Sequence, residues 1–143
     1  MRFWDSSALV PLLIDEPTTA ALQRTLGSDP IVGVWWATPV ECASAVARRE
    51  RLGLIDATER AEILARLAAM TPAWQLMEPT AEIRETAIRL LQTHDLRAAD
   101  ALQLAAAFAA AEGRPSTLAF VSLDARLNEA AVREGFRLAG LDT

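Results

Sequence analysis

Between Ala98 and Ala111 the chain reads Ala-Ala-Asp-Ala-Leu-Gln-Leu-Ala-Ala-Ala-Phe-Ala-Ala-Ala, with Asp100 and Gln103 as its only polar side chains. Alanine is the strongest helix former, and its small side chain lets neighbouring elements approach closely. A helix that is apolar on nearly every face belongs inside a protein, so the rest of the chain has to cover it. A carboxylate carried into that setting must cap the helix, pair with a cation or bind one, because an unpaired buried charge is too costly. Asp100 as an N-cap, with Gln103 three residues on completing a capping-box pattern, is one reading. A ligand for a cation is the other.

The segments around this helix alternate short apolar runs with helical patterns. Arg2–Asp5 is a first buried strand that ends in an acid, followed by a helix over Ala8–Ile14 in which Pro11 is tolerable in the first turn. Thr18–Leu26 is an amphipathic helix closed by Gly27, and Ile31–Trp35 is a second strand. Thr38-Pro39-Val40-Glu41 carries a helix-start signal, with Thr as N-cap, Pro in the first turn and Glu three residues after the cap. That helix runs to about Leu52 and stops at Gly53; Asp56-Ala57-Thr58-Glu59 repeats the logic for a helix to about Met70. Trp74–Met77 is a strand, Thr80 caps a helix to about Gln92, and His94–Arg97 is a loop that leaves His94 at the surface. Leu118–Ser122 is a further strand, Asp124 precedes a helix to Arg133, and Phe136–Leu138 closes the series.

Strands alternating with helices imply an α/β fold, a short parallel sheet between two helical layers. The 143 residues suffice for one domain, 1–143, with a sizeable core. No apolar run approaches the roughly 20 residues of a membrane span. The N-terminus meets Asp5 too early for a signal peptide, so a cytoplasmic protein is expected. The single cysteine, Cys42, permits neither an internal disulfide nor a cysteine metal cluster.

In such sheets ligands bind beyond the carboxyl ends of the strands. Asp5 closes the first strand, Asp124 follows a later one, and Glu41 and Asp100 open helices, so the four acids can converge on one edge. Clustered carboxylates repel each other unless cations neutralise them. An all-oxygen donor set selects Mg²⁺ or Mn²⁺ over zinc, and such an ion can drive in-line phosphodiester displacement. The chain holds one histidine and no lysine, which excludes a two-histidine ribonuclease mechanism and a receiver domain's lysine switch. An aspartyl-phosphate phosphatase needs a second Asp two residues after the first, where Ser7 stands. Helix capping remains the competing account: Asp5 and Asp124 can each cap the following helix, and Glu41 can form a capping box with Thr38.

Four motifs in order carry a resemblance: Asp5-Ser6-Ser7-Ala8-Leu9-Val10; Thr38-Pro39-Val40-Glu41 with Arg48-Arg49; Leu96 through Ala105, centred on Asp100; and Phe120 through Leu127, centred on Asp124. Together they resemble PIN-domain nucleases, and their spacing over the whole chain is similar to VapC-type toxins of bacterial toxin–antitoxin pairs. The resemblance implies a three-layer α/β/α PIN-like domain with Mg²⁺- or Mn²⁺-dependent endoribonuclease activity on RNA. It also implies a VapB-like antitoxin that inserts a segment into the groove, and a homodimer. By motif position Asp5, Asp100 and Asp124 are metal ligands, direct or through water, Glu41 completes the acidic pocket, and Ser7 and Ser122 orient ligands or water. A non-catalytic PIN-like binding module and a housekeeping PIN nuclease outside any toxin–antitoxin pair are the alternatives.

The net charge of −5 argues against general, charge-driven RNA binding, but setting the four acids aside leaves −1. All 14 basic residues are arginines, so phosphate contacts fall to arginine. Arg97, three residues before Asp100, is placed to face the same pocket or to sit solvated in its loop. Arg48, Arg49 and Arg51 read as a solvated helix end that suits the helix dipole. Asn128, one turn after Asp124, faces the same side and can hold a water. Of Trp35 and Trp36, at least one is expected in the core, with the other free to stack on a base.

Overall fold

The computed structural model describes residues 1–140. In chain order the elements are β1 (Arg2–Trp4), α1 (Ser6–Leu13), α2 (Thr19–Ser28), β2 (Val32–Trp35), α3 (Thr38–Arg51) and α4 (Ala57–Met70). They continue with β3 (Gln75–Met77), α5 (Ala81–Thr93), α6 (Ala98–Ala110), β4 (Ala119–Val121), α7 (Ala125–Arg133) and β5 (Arg137–Leu138). The five strands form one parallel sheet in the order β3-β2-β1-β4-β5. The first strand is therefore the middle one, with Phe3 level with Gly33 on one side and Phe120 on the other.

Strand alternation divides the core into two clusters. Phe3, Trp35 and Phe120 face α5, α6 and α7, where Phe3 and Phe120 stack with centroids 5.7 Å apart. Trp4, Val34 and Val121 face the opposite layer, built on Leu9, Leu13, Leu22, Cys42, Val46 and Ile63. This is the expected three-layer arrangement. The alanine-rich α6 lies where its composition demands, with Ala101, Leu104, Ala105, Ala106 and Ala107 buried and its flank against β2. Burial of Cys42 pushes its thiol up to about 12, so it is an inert core residue. No helix among the described residues is long and apolar enough to cross a membrane.

Several local expectations need correction. Helix α1 starts two residues earlier than read, so Pro11 lies in its interior; the helix has only eight residues, and the proline's missing N–H removes one late bond. Helix α2 passes through Gly27 and ends at Ser28, because nothing in the fold requires a left-handed residue at 27. By contrast Gly53 takes positive φ, +73°, and ends α3 as predicted, and Gly135, φ +100°, follows the end of α7 in the same way. The Asp56–Glu59 capping box forms in full, and Thr80 caps α5 through the Ile83 N–H. Thr38 does not cap α3: Ala37 holds that position without a side-chain bond, and Thr38 is buried inside the first turn. His94 is no surface residue either. Its ring, 5% exposed, meets Glu134 Oε2 at 3.1 Å, and Arg89 holds the other Glu134 oxygen at 2.8 Å.

Candidate active site: four acids on helix starts

Each of the four acids stands at the start of a helix. Asp5 is the N-cap of α1 and Asp124 that of α7, whereas Glu41 and Asp100 lie in the first turns of α3 and α6. The positive end of a helix macrodipole favours a carboxylate there. Asp5 and Asp124 do cap: each accepts backbone N–H donation from the helix that follows it. Asp124 Oδ1 accepts the N–H groups of Arg126 (2.9 Å) and Leu127 (3.1 Å), leaving its second oxygen outside the cap. Asp100 is not an N-cap, because that position belongs to Arg97. Nor does Gln103 complete a box with it, since Gln103 bonds to α3 instead.

Asp5 is 4% exposed at the carboxyl end of the central strand. Its Oδ2 accepts the Ser7 hydroxyl at 2.6 Å, the Ser122 hydroxyl at 3.0 Å and the Ser7 N–H at 3.3 Å. The serines are themselves tied down: Ser7 Oγ accepts from the Leu123 N–H and Ser122 Oγ from the Asp124 N–H. Asn128 donates to the Ser122 carbonyl at 2.9 Å. One network thus fixes Asp5 and sets the turn that presents Asp124. Asn128 serves that turn, and its buried Oδ1 has no protein partner.

Glu41 reaches the same region from α3. Its Oε2 accepts the Ser6 hydroxyl at 3.1 Å and the Gln103 amide at 2.9 Å. Asp100 and Asp124 line one open cleft of about 550 Å³ with Arg97 and Arg126 on its rim. On the other side Glu41 borders a groove of about 640 Å³ with Ser44, Arg48, Leu52 and Leu54.

The acids sense one another. Burial is the main reason Asp5 holds its proton above the ordinary range; the serine hydrogen bonds oppose this and Asp124 adds to it. Burial likewise raises Glu41, with Asp5 and Asp100 adding, while Gln103 and Ser6 work the other way. For Asp100 burial leads again, followed by repulsion from Asp124 and Asp5, and the Arg97 backbone bond and charge oppose it. A set of carboxylates that raise each other's pKa is a place where a cation would be stabilised. Among the described residues, no three His, Cys, Asp or Glu side chains stand together as a ready-made cage for a metal ion. An all-oxygen donor set is the chemistry of hard ions such as Mg²⁺ and Mn²⁺.

The other residues singled out in the sequence fall as follows. Trp35 is in the core, whereas Trp36, the next residue, is 50% exposed beyond the end of β2. Arg49 is engaged by Glu16 and is not a free cation; Arg48 lines the Glu41 groove. Three residues of the site were not legible as such: Ser6, Gln103 and Arg126. Ser6 is masked by its neighbours in a serine pair. Gln103 did carry a signal, as the one neutral polar residue in an apolar helix.

A sequence model of the PIN domain matches residues 2–133. No curated protein matches the sequence. Among solved structures, VapC20 of Mycobacterium tuberculosis, described as a sarcin–ricin-loop-cleaving toxin, is similar with a TM-score of 0.68 at 19% identity over 97% of this chain and 98% of that one. FitAcB of Neisseria gonorrhoeae gives 0.68 at 15% identity, covering 98% and 97%. A toxin–antitoxin complex from Klebsiella pneumoniae gives 0.62 at 15% identity, covering 87% of each chain. At these identities the likeness is one of fold. With the family match over nearly the whole length and the three-layer sheet that carries it, the chain belongs to the PIN domain family.

Proposed function

We propose that the chain is a Mg²⁺- or Mn²⁺-dependent endoribonuclease, the toxin of a VapBC-like toxin–antitoxin pair, with residues 1–143 as one PIN domain. The observation that carries this reading is that Asp5, Glu41 and Asp100, each at a helix start and each withdrawn from solvent, also feel the charge of neighbouring acids of the set. Asp5, Asp100 and Asp124 would hold the cation, directly or through its waters, and Glu41 completes the pocket. When bound, such an ion lowers the pKa of water and stabilises the leaving oxygen of a phosphodiester.

The chain's own residues do the rest. Ser7 and Ser122 hold Asp5 by one oxygen, so its carboxylate is oriented before anything binds. Asn128 keeps Ser122 in place. Arg97 and Arg126 on the cleft rim bind RNA phosphates, the role lysine has in other chains. The similar structure from a toxin–antitoxin complex supports an antitoxin partner, which this reading takes to be VapB-like. A homodimer working in the cytoplasm completes the reading.

The test is cleavage of a mixed RNA pool with Mg²⁺ or Mn²⁺, with EDTA, and with identically prepared Asp100→Asn protein. Cleavage abolished by EDTA and by the substitution is the expected result. Folded, antitoxin-free protein that cuts nothing with either metal would leave a PIN-like binding module acting through a protein partner.

A further inference from the structure

Gln103 is fully buried in the alanine-rich helix α6, where an apolar side chain would lie at no cost in desolvation. Its amide nitrogen donates to Glu41 Oε2 at 2.9 Å and to Thr38 Oγ1 at 3.1 Å, both on α3. Its carbonyl oxygen is buried without a protein partner. The orientation of the amide is dictated by chemistry: a carboxylate only accepts, so the NH₂ end must face Glu41. Packing does not account for this residue. A buried group bonded through one end and orphaned at the other costs stability. What the arrangement supplies is direction, because Ser6 and Gln103 both bind Oε2 and so fix the plane of the Glu41 carboxylate.

We infer that Gln103 is a positioning residue that acts through Glu41, holding its carboxylate by Oε2 from beneath the cleft so that Oε1 is presented to the site. This rests on the proposed nuclease reading for its consequence, but the pairing itself can be tested separately. Thr38 serves the same end. Buried in the first turn of α3, it occupies the second N–H of the Gln103 amide and keeps that amide from rotating. The threonine that resembles a helix cap is part of a link between two helices, made to a residue 65 positions later in the chain.

The experiment is a double-mutant cycle on the full chain with Glu41→Gln, Gln103→Met and the double variant. RNA cleavage is followed with saturating Mn²⁺. Gln103→Met is expected to lower kcat about tenfold or more with KM within about twofold. The double variant should cut no more slowly than Glu41→Gln alone, because Gln103 has no other route to the reaction. Multiplying effects, a Gln103→Met protein at the native rate, or slow Gln103→Met beside fully active Glu41→Gln would each overturn the inference. If the native chain cuts no RNA, the nuclease reading falls, and urea unfolding of the same four proteins decides the pairing. A coupling of about fivefold or more in the folding equilibrium supports it, and additive effects refute it. Should Gln103→Met not fold, Gln103→Asn keeps an amide in the core but withdraws it from Glu41 by one methylene, and the same outcomes apply.

Discussion

Ser7 and Ser122, 115 residues apart in sequence, lie with their hydroxyls 3.2 Å from each other, and both donate to the same oxygen of Asp5. The pair closes β1 against the β4–α7 turn. Removing either hydroxyl leaves Asp5, nearly fully buried, short of a donor and orphans a backbone N–H of the turn. Ser7→Ala and Ser122→Ala are each expected to cost about 1–3 kcal/mol. The double variant should cost less than the sum, since the two share one acceptor. Urea unfolding measures all three.

The folded chain favours the protonated form of Asp100 over the ionised one. Its proton is held more tightly in the folded chain than in the unfolded one, so folded protein binds more protons in the window above the ordinary carboxylate range. Stability contributed by the protonated form is complete below the unfolded pKa and is lost as pH rises through the folded one. Metal-free Asp100→Asn should therefore melt higher than the native chain near neutral pH, and the gap should close as pH falls toward 4. Thermal unfolding in EDTA across that range checks it. Equal melting at every pH would contradict the electrostatic account.

Cation binding should reverse that order. Mn²⁺ is expected to raise the melting temperature of the native protein and to leave Asp100→Asn nearly unmoved. Because the raised carboxylates must give up protons to become ligands, binding at a mildly acidic pH, where part of the set is still protonated, should also release protons. Calorimetric titration of Mn²⁺ in two buffers of different ionisation enthalpy reads that release directly.

Arg97 and Arg126 flank the cleft but are not part of the acid cluster. Arg126 makes only a loose 3.6 Å pair with Asp95, both largely exposed. Arg97→Gln and Arg126→Gln should each weaken binding of RNA and reduce the slope of log affinity against log salt by about 0.7, the value for one phosphate contact on a single strand. The rate at saturating RNA should hold. Binding of RNA to the Asp100→Asn protein over a range of salt gives the slopes without cleavage.

The capping box at the start of α4 is far from these residues in role. Asp56→Ala should cost about 1 kcal/mol of stability and leave RNA cleavage unchanged. It is the control that separates loss of fold from loss of site.

The alternation of strands and helices and the buried α6 were legible in the sequence, as were the positions of Asp5, Glu41 and Asp124 at strand ends and helix starts; Asp100 opens a helix that follows another helix, so the same rule does not place it. Strand ends and helix starts carry local signals, and in a parallel sheet those two positions share one edge. The failures have a common physical cause. A polar residue at a helix start reads the same whether its side chain bonds its own backbone or another helix. Thr38 and Gln103 both look like capping residues, yet Gln103 donates to Thr38 and to Glu41 instead. His94 sits in a segment that any local rule marks as exposed, yet Glu134, 40 residues later, covers it. Partners supplied from so far along the chain leave no trace in spacing.

The place of β1 has a bearing on synthesis as well. The strand made first lies between β2 and β4, and Asp5 takes one of its hydroxyl donors from Ser122, 117 residues later. A chain emerging from a ribosome can pair β1 with β2 early, but that edge of β1 which receives β4 stays open until residue 121 is free. Contacts this distant in sequence form late. The acids of the site are scattered until then, and a partly translated chain carries Asp5 and Glu41 with no Asp100 or Asp124 to complete them. The edge where these acids lie is thus assembled only after β4 and the turn that follows it have been made.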